Sequence, residues 1–143
     1  MPSFGVKSRS KLVGVHPILI DILEKVVLHY DCTVLCGART TEEQRLLVNA
    51  GKSRTMNSKH LVQDTGYAHA VDISPYPIPD NWGENNNLEK AKFYHFAGYM
   101  QSKFDELEVN AKLRWGGDWD SDRDFDDQTF MDLVHFELVG ISK

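Results

Sequence analysis

The chain has 143 residues, is 41% hydrophobic and carries a formal net charge of -5. That is enough for one hydrophobic core, so one domain spanning 1–143 is expected, with no room for a second binding module. The acidic balance without a Lys/Arg block excludes nucleic acid as the main partner, and no run approaches the roughly 18 apolar residues of a membrane span, so no stable membrane association is expected.

The N-terminus, MPSFGVKSRSKLVGV, has no apolar core of signal-peptide length, and the chain reads as a soluble product of the cytosol. In HPILIDILEKVVLHY, residues Leu19, Ile22, Leu23, Val26 and Tyr30 recur at helical spacing with Pro17 in the first turn, which predicts a core-facing helix. His16 and His29 near its ends read as capping or surface residues. CTVLC is a short strand ending at Gly37. Its two cysteines, Cys32 and Cys36, are predicted to share a face about 13 Å apart at roughly 3.3 Å per residue, too far for a disulfide, and so to be buried thiols in a reducing compartment.

GARTTEEQRLLVNAG follows, where Thr40 three before Glu43 makes a capping box and Gly51 supplies the stop. Arg39 therefore sits at a strand-to-helix junction, from which a guanidinium can be aimed at a carboxylate or a polarised carbonyl. Lys52 to Ser58 reads as a loop leading to His60, and LVQDTGY as an excursion. HAVDIS is a strand with Ala70, Asp72 and Ser74 on one face and His69, Val71 and Ile73 on the other. An aspartate inside a buried-looking strand is costly unless paired or bound to a cation, which sets Asp72 apart from the other acidic residues.

After a Pro- and Asn-rich loop, LEKAKFYHFAGYMQSKFDELEV places Leu88, Ala91, Phe93 or Tyr94, Ala97, Met100, Phe104 and Leu107 near one stripe, a packing pattern with His95 off it and solvated. KLRW is a short strand and GGDWDSDRDFDD an acidic loop. The last strand, in MDLVHFELVG, carries His135 and Glu137 on one face with Asp132 just before it. Two histidines and one carboxylate suit Zn2+ with its fourth position open for water, so His60, Asp72 and His135 are the candidate ligands of a hydrolytic zinc centre.

The ordered set Ser58-x-His60, AVDISPYP, WGGDW and Asp132-x-x-His135-Phe136-Glu137 resembles the zinc peptidases that include the D-alanyl-D-alanine carboxypeptidases and phage endolysins. WGGDW with a terminal HFEL is most similar to the endolysin branch, the L-alanyl-D-glutamate peptidases, and the likeness runs from about Arg39 to the C-terminus. The resemblance implies an α+β fold, a small mainly antiparallel sheet with packed helices. It implies Zn2+ on His60, Asp72 and His135, Asp132 as the catalytic carboxylate, and Arg39 steadying the substrate carbonyl. Ser58, Gln44 and Trp115 are the implied substrate contacts. Eleven residues separate His60 from Asp72, more than the family usually has, so there is an insertion near Val62 to Tyr67, and His69 stands as a rival to His60.

The implied reaction is hydrolysis of the L-alanyl-D-glutamate bond in the peptide stem of bacterial peptidoglycan, by a monomer that reaches the wall from the host cytoplasm once a holin has opened the membrane. The alternatives are a D-alanyl-D-alanine carboxypeptidase and a non-catalytic zinc-binding module. A separate expectation concerns Asp118, Asp120, Asp122 and Asp124, whose alternation matches the one, three, five spacing of calcium loops. Arg123 stands where an EF-hand keeps glycine and Thr129 where it keeps glutamate, so a Ca2+ site here would be of another kind.

Overall fold

The computed structural model describes residues 2–80, 87–124 and 131–141. Its elements in order are α1 (Val6–Lys11), α2 (Pro17–Val27), β1 (Cys32–Cys36), α3 (Thr41–Asn49), β2 (Ala70–Pro75), α4 (Asn87–Glu106), β3 (Lys112–Gly116) and β4 (Asp132–Val139). The strands form one sheet in the order β1-β2-β4-β3, with every neighbouring pair antiparallel. This is the expected α+β architecture. The C-terminal strand lies inside the sheet, so it can present its residues beside those of β2.

The core forms where α4 packs on the sheet and α2 packs against α4. Leu19, Ile22, Leu23 and Val26 are all buried, as the helical spacing predicted, and His16 caps α2 by accepting from Ile18 N at 3.1 Å. Tyr30 lies beyond the end of this helix, and its hydroxyl meets His95 Nδ1 at 2.7 Å. The exposed His95 is therefore partnered rather than only solvated. On α4 the stripe begins at Phe93 and continues through Phe96, Ala97, Met100 and Phe104. Leu88 and Ala91 are exposed, so the buried stripe starts later than the spacing suggested.

Helix α1 was not legible in the sequence, since six residues without apolar periodicity give no helix signal. Its Ser8 Oγ accepts from Val34 N at 3.1 Å, giving an edge-strand amide a partner. The bulge in β1 is a second correction. Val34 pairs with Ile73 but Cys36 with Asp72, so Leu35 is the extra residue. Residues opposite one another in a ladder share a face. Cys36 is thus turned away from the core side of Cys32 and Val34 to the side of Asp72. Cys32 is buried as expected, and burial together with the Asp31 charge pushes its thiol up to about 12.

Two glycines allow close chain crossings at the ends of these strands. A Cβ on Gly37 would lie 1.8 Å from Lys11 O, and one on Gly116 would lie 2.0 Å from Asp132 O. These contacts explain the glycines of GART and WGGDW by sterics alone.

Candidate active site

Arg39 is fixed first by its neighbours in the chain. The capping box is formed, with Glu43 N donating to Thr40 Oγ1 at 3.0 Å and Thr40 N to Glu43 Oε1 at 3.1 Å. Arg39 N donates to His60 O at 2.8 Å, which ties the start of α3 to the His60 loop. Its guanidinium then spans two partners: Nη1 donates to Gln44 Oε1 at 2.6 Å and Nη2 to Cys36 Sγ at 3.2 Å.

Ser58 Oγ accepts from His60 N at 3.1 Å, so the serine shapes the turn that delivers the histidine. The His60 ring is buried. Its Nδ1 lies 2.8 Å from Gly37 O, a carbonyl that can only accept, so Nδ1 carries the proton and Nε2 faces Asp72 Oδ1 at 3.1 Å. His135 is arranged in the mirror sense. Its Nε2 meets Glu137 Oε1 at 2.8 Å and its Nδ1 faces the same Asp72 Oδ1 at 3.3 Å. The β2–β4 register sets Asp72 directly opposite His135, and Glu137 is held in turn by Arg114 at 2.8 Å.

Neutral tautomers would thus aim two nitrogen lone pairs at one carboxylate oxygen, which is repulsive unless a cation or extra protons lie between them. The donor chemistry fits a metal: each ring gives its outer N–H to a carbonyl or carboxylate and turns its other nitrogen inward, as metal-ligating histidines do. With protons instead, burial works against His60, yet hydrogen bonds to Asp72 and Cys36 prevail and raise it to about 10. Burial also opposes charge on Asp72, but hydrogen bonds from His135 and His60 hold it below the usual carboxylate range.

Two sets of potential ligands meet at Asp72. One is Cys36, His60 and Asp72; the other is Asp72, Asp132 and His135, each set with ligand atoms within 4.8 Å of one another. The expected triad therefore spans both sets. Asp132 opens β4 rather than preceding it, and burial, then the charge of Asp72, raises its pKa above the ordinary aspartate value. A carboxylate so placed is suited to take and return a proton.

His69 points elsewhere: its Nε2 meets Thr65 Oγ1 at 2.7 Å and its ring packs edge-on to His16. The excursion is a compact turn in which Gln63 N donates to Tyr67 O at 2.9 Å, and Ala68 is bonded to Gly14 and His16. Two expected substrate contacts are displaced inward. Gln44 is 0% exposed and serves Arg39, and Trp115 is buried against Tyr94 and Phe136 with Nε1 donating to Leu133 O at 2.8 Å. Trp119, four residues on, is the tryptophan that packs on His135, with ring centroids 5.3 Å apart. Trp119 and Cys36 lie against the site although the sequence reading gave neither a place there. WGGDW marked the first but did not say which tryptophan faces the site, and nothing marked the bulge that moves the second.

In the acidic loop, Asp118, Asp120 and Asp122 bring oxygens within 4.8 Å of one another, while Asp124 stands outside that group and donates its N–H to Asp122 Oδ1 at 2.8 Å. A cavity of about 560 Å³ between α4, β3 and this loop is lined by Tyr94, Gln101, Trp115, Asp118 and Arg123. None of His60, Asp72 or His135 borders it.

An antiparallel α+β fold that closes two histidines and an aspartate around one point, with a second carboxylate beside them, has the constellation of a metallopeptidase. Residues 2–139 match the family described as phage L-alanyl-D-glutamate peptidase, and the chain belongs to that family. It is similar to the L-alanyl-D-glutamate peptidase of Escherichia phage T5, at 30% identity over 145 residues, which cover 95% of this chain and 97% of that protein. The crystal structure of Serratia marcescens L-Ala D-Glu endopeptidase ChiX is similar with a TM-score of 0.70 and 26% identity, covering 95% of this chain and 89% of that one. Among the described residues, no helix is long and apolar enough to cross a membrane.

Proposed function

We propose that this chain is a zinc-dependent endolysin that hydrolyses the L-alanyl-D-glutamate bond of the peptidoglycan peptide stem. The observation that carries the reading is the convergence of His60 Nε2 and His135 Nδ1 on Asp72 Oδ1, with Asp132 alongside. His60, Asp72 and His135 would hold Zn2+, which when bound supplies an acidified water and a Lewis acid for the scissile carbonyl. Asp132 accepts the proton of the attacking water and returns it to the leaving amine. Arg39, held by Gln44 and Cys36, faces the developing oxyanion. Glu137 fixes the tautomer of His135, and Trp119 covers that ring. The substrate is the wall peptide; the protein works as a monomer and reaches the wall from the host cytoplasm through a holin lesion.

Mass spectrometry of purified peptidoglycan after digestion tests this. New L-alanine carboxyl and D-glutamate amino termini are expected. Release of D-alanine alone makes the protein a carboxypeptidase, and zinc retention without any release makes it a binding module.

A second reading places Ca2+ in the acidic loop. Asp118 Oδ1 is buried without a hydrogen-bond partner, while Oδ2 accepts from Arg123 N at 3.0 Å, and Arg123 has a φ of 67°. An orphaned carboxylate oxygen beside Asp120 and Asp122 suits Ca2+, with Asp124 as a more distant acidic neighbour. Calorimetric titration of the zinc-loaded protein, with and without Asp120→Asn and Asp122→Asn, is expected to give heat in the wild type only. No heat at millimolar calcium leaves a solvated loop.

A further inference from the structure

Cys36 ends the strand CTVLC, and regular alternation would turn it to the core side with Cys32 and Val34. The bulge at Leu35 instead places it opposite Asp72, on the face that carries the donor cluster. Its sulfur accepts from Arg39 Nη2 at 3.2 Å and lies beside the His60 ring, 3.8 Å from Nδ1, the nitrogen turned away from Asp72. Cys36, His60 and Asp72 bring one ligand atom each within 4.8 Å of one another, and Cys36 is only partly buried. A thiol in such a set is a chemically apt donor, because a thiolate is a soft, strongly bound ligand for zinc and its neighbours in the periodic table.

We propose that Cys36 is an additional, sulfur donor to the metal held by His60, Asp72 and His135, and that it competes for the position a catalytic water needs. This rests on the zinc reading above. With sulfur on the metal, the thiol has given up its proton and four protein donors close the centre, as in a structural zinc site. With the sulfur off the metal, the fourth position would be left for a water. A metal-bound thiolate still accepts hydrogen bonds, so the Arg39 contact can persist with the sulfur on or off the metal.

Cobalt substitution in the full chain tests the proposal without reference to turnover. The Co2+ protein is expected to show near-ultraviolet sulfur-to-cobalt charge-transfer absorption as well as visible ligand-field bands. In Cys36→Ser and Cys36→Ala the charge-transfer absorption should vanish while the ligand-field bands and bound cobalt remain. A wild-type spectrum with ligand-field bands and no charge-transfer absorption overturns the proposal, as does charge-transfer absorption that survives both substitutions. If no cobalt is retained at all, the metal-centre reading itself falls, and this inference with it. Iodoacetamide labelling of the wild type gives an independent check. Zinc should slow alkylation of Cys36, with buried Cys32 as the internal reference, and equal rates with and without zinc count against coordination.

Discussion

Replacing Gln44 by leucine removes an amide from a position that is 0% exposed while nearly conserving its volume. Three bonds go with it: from Arg39 Nη1 at 2.6 Å, to Ser53 Oγ at 2.8 Å and to Thr55 O at 2.6 Å. The bond to the guanidinium is worth about 1.5–3 kcal/mol and each neutral one about 1 kcal/mol, so the variant should lose about 4 kcal/mol of stability. Against a total of about 5–15 kcal/mol the protein still folds at room temperature. Its Tm should fall by about 10–15 °C, at about 2–4 °C per kcal/mol for a chain near this size. The kinetic effect follows from Arg39, which keeps its charge and its bond to Cys36 but loses one of two points of attachment. Outright loss of an oxyanion donor costs about 100- to 1,000-fold in kcat, and a loosened one should cost less, about 10- to 100-fold. The assay is turnover of a soluble stem peptide with metal content measured in parallel, at a temperature where the variant is folded. A fall in kcat with KM and zinc near wild type is expected. A raised KM with unchanged kcat would mean that Gln44 binds substrate after all, and the positioning argument would be refuted.

Asp132→Ala should keep fold and zinc yet lose about 100-fold or more in kcat, because it removes the proton carrier and no proposed ligand; full activity in the variant sinks the assignment. His60→Ala should lower zinc content sharply after dialysis whereas His69→Ala should not, and elemental analysis giving the reverse would move the ligand into the insertion. For metal-free protein, His60 is raised from 6.5 to about 10, so its contribution to stability is complete below pH 6.5 and is lost as pH climbs toward 10. Asp72 is depressed, so its contribution holds above the ordinary aspartate range and disappears only in strong acid. The urea midpoint of chelator-treated protein should therefore drop between pH 6 and pH 9, and a flat profile would show that the two histidines are not charged partners of Asp72.

Local chemistry was readable from the chain. The apolar spacing of α2, the capping box of α3 and the strand HAVDIS each depend on neighbours within a few residues, and each formed where expected. Motif order had named His60, Asp72, Asp132 and His135 together, and the fold brings these side chains near one another. Tertiary structure decided the rest. One extra residue in β1 reverses the face of Cys36, and no local pattern distinguishes Leu35 as the bulged position. Gln44 and Trp115 carry polar groups that suit a ligand, yet their partners come from segments 53–55 and from β4, so burial claims both. The eleven-residue spacing left His60 and His69 as rivals on paper. Only the fold, by packing the excursion against Gly14 and His16, turns His69 toward Thr65 and brings His60 to Asp72. A sequence specifies bonds between near neighbours directly. It specifies which distant donors converge only through the packing of the whole chain.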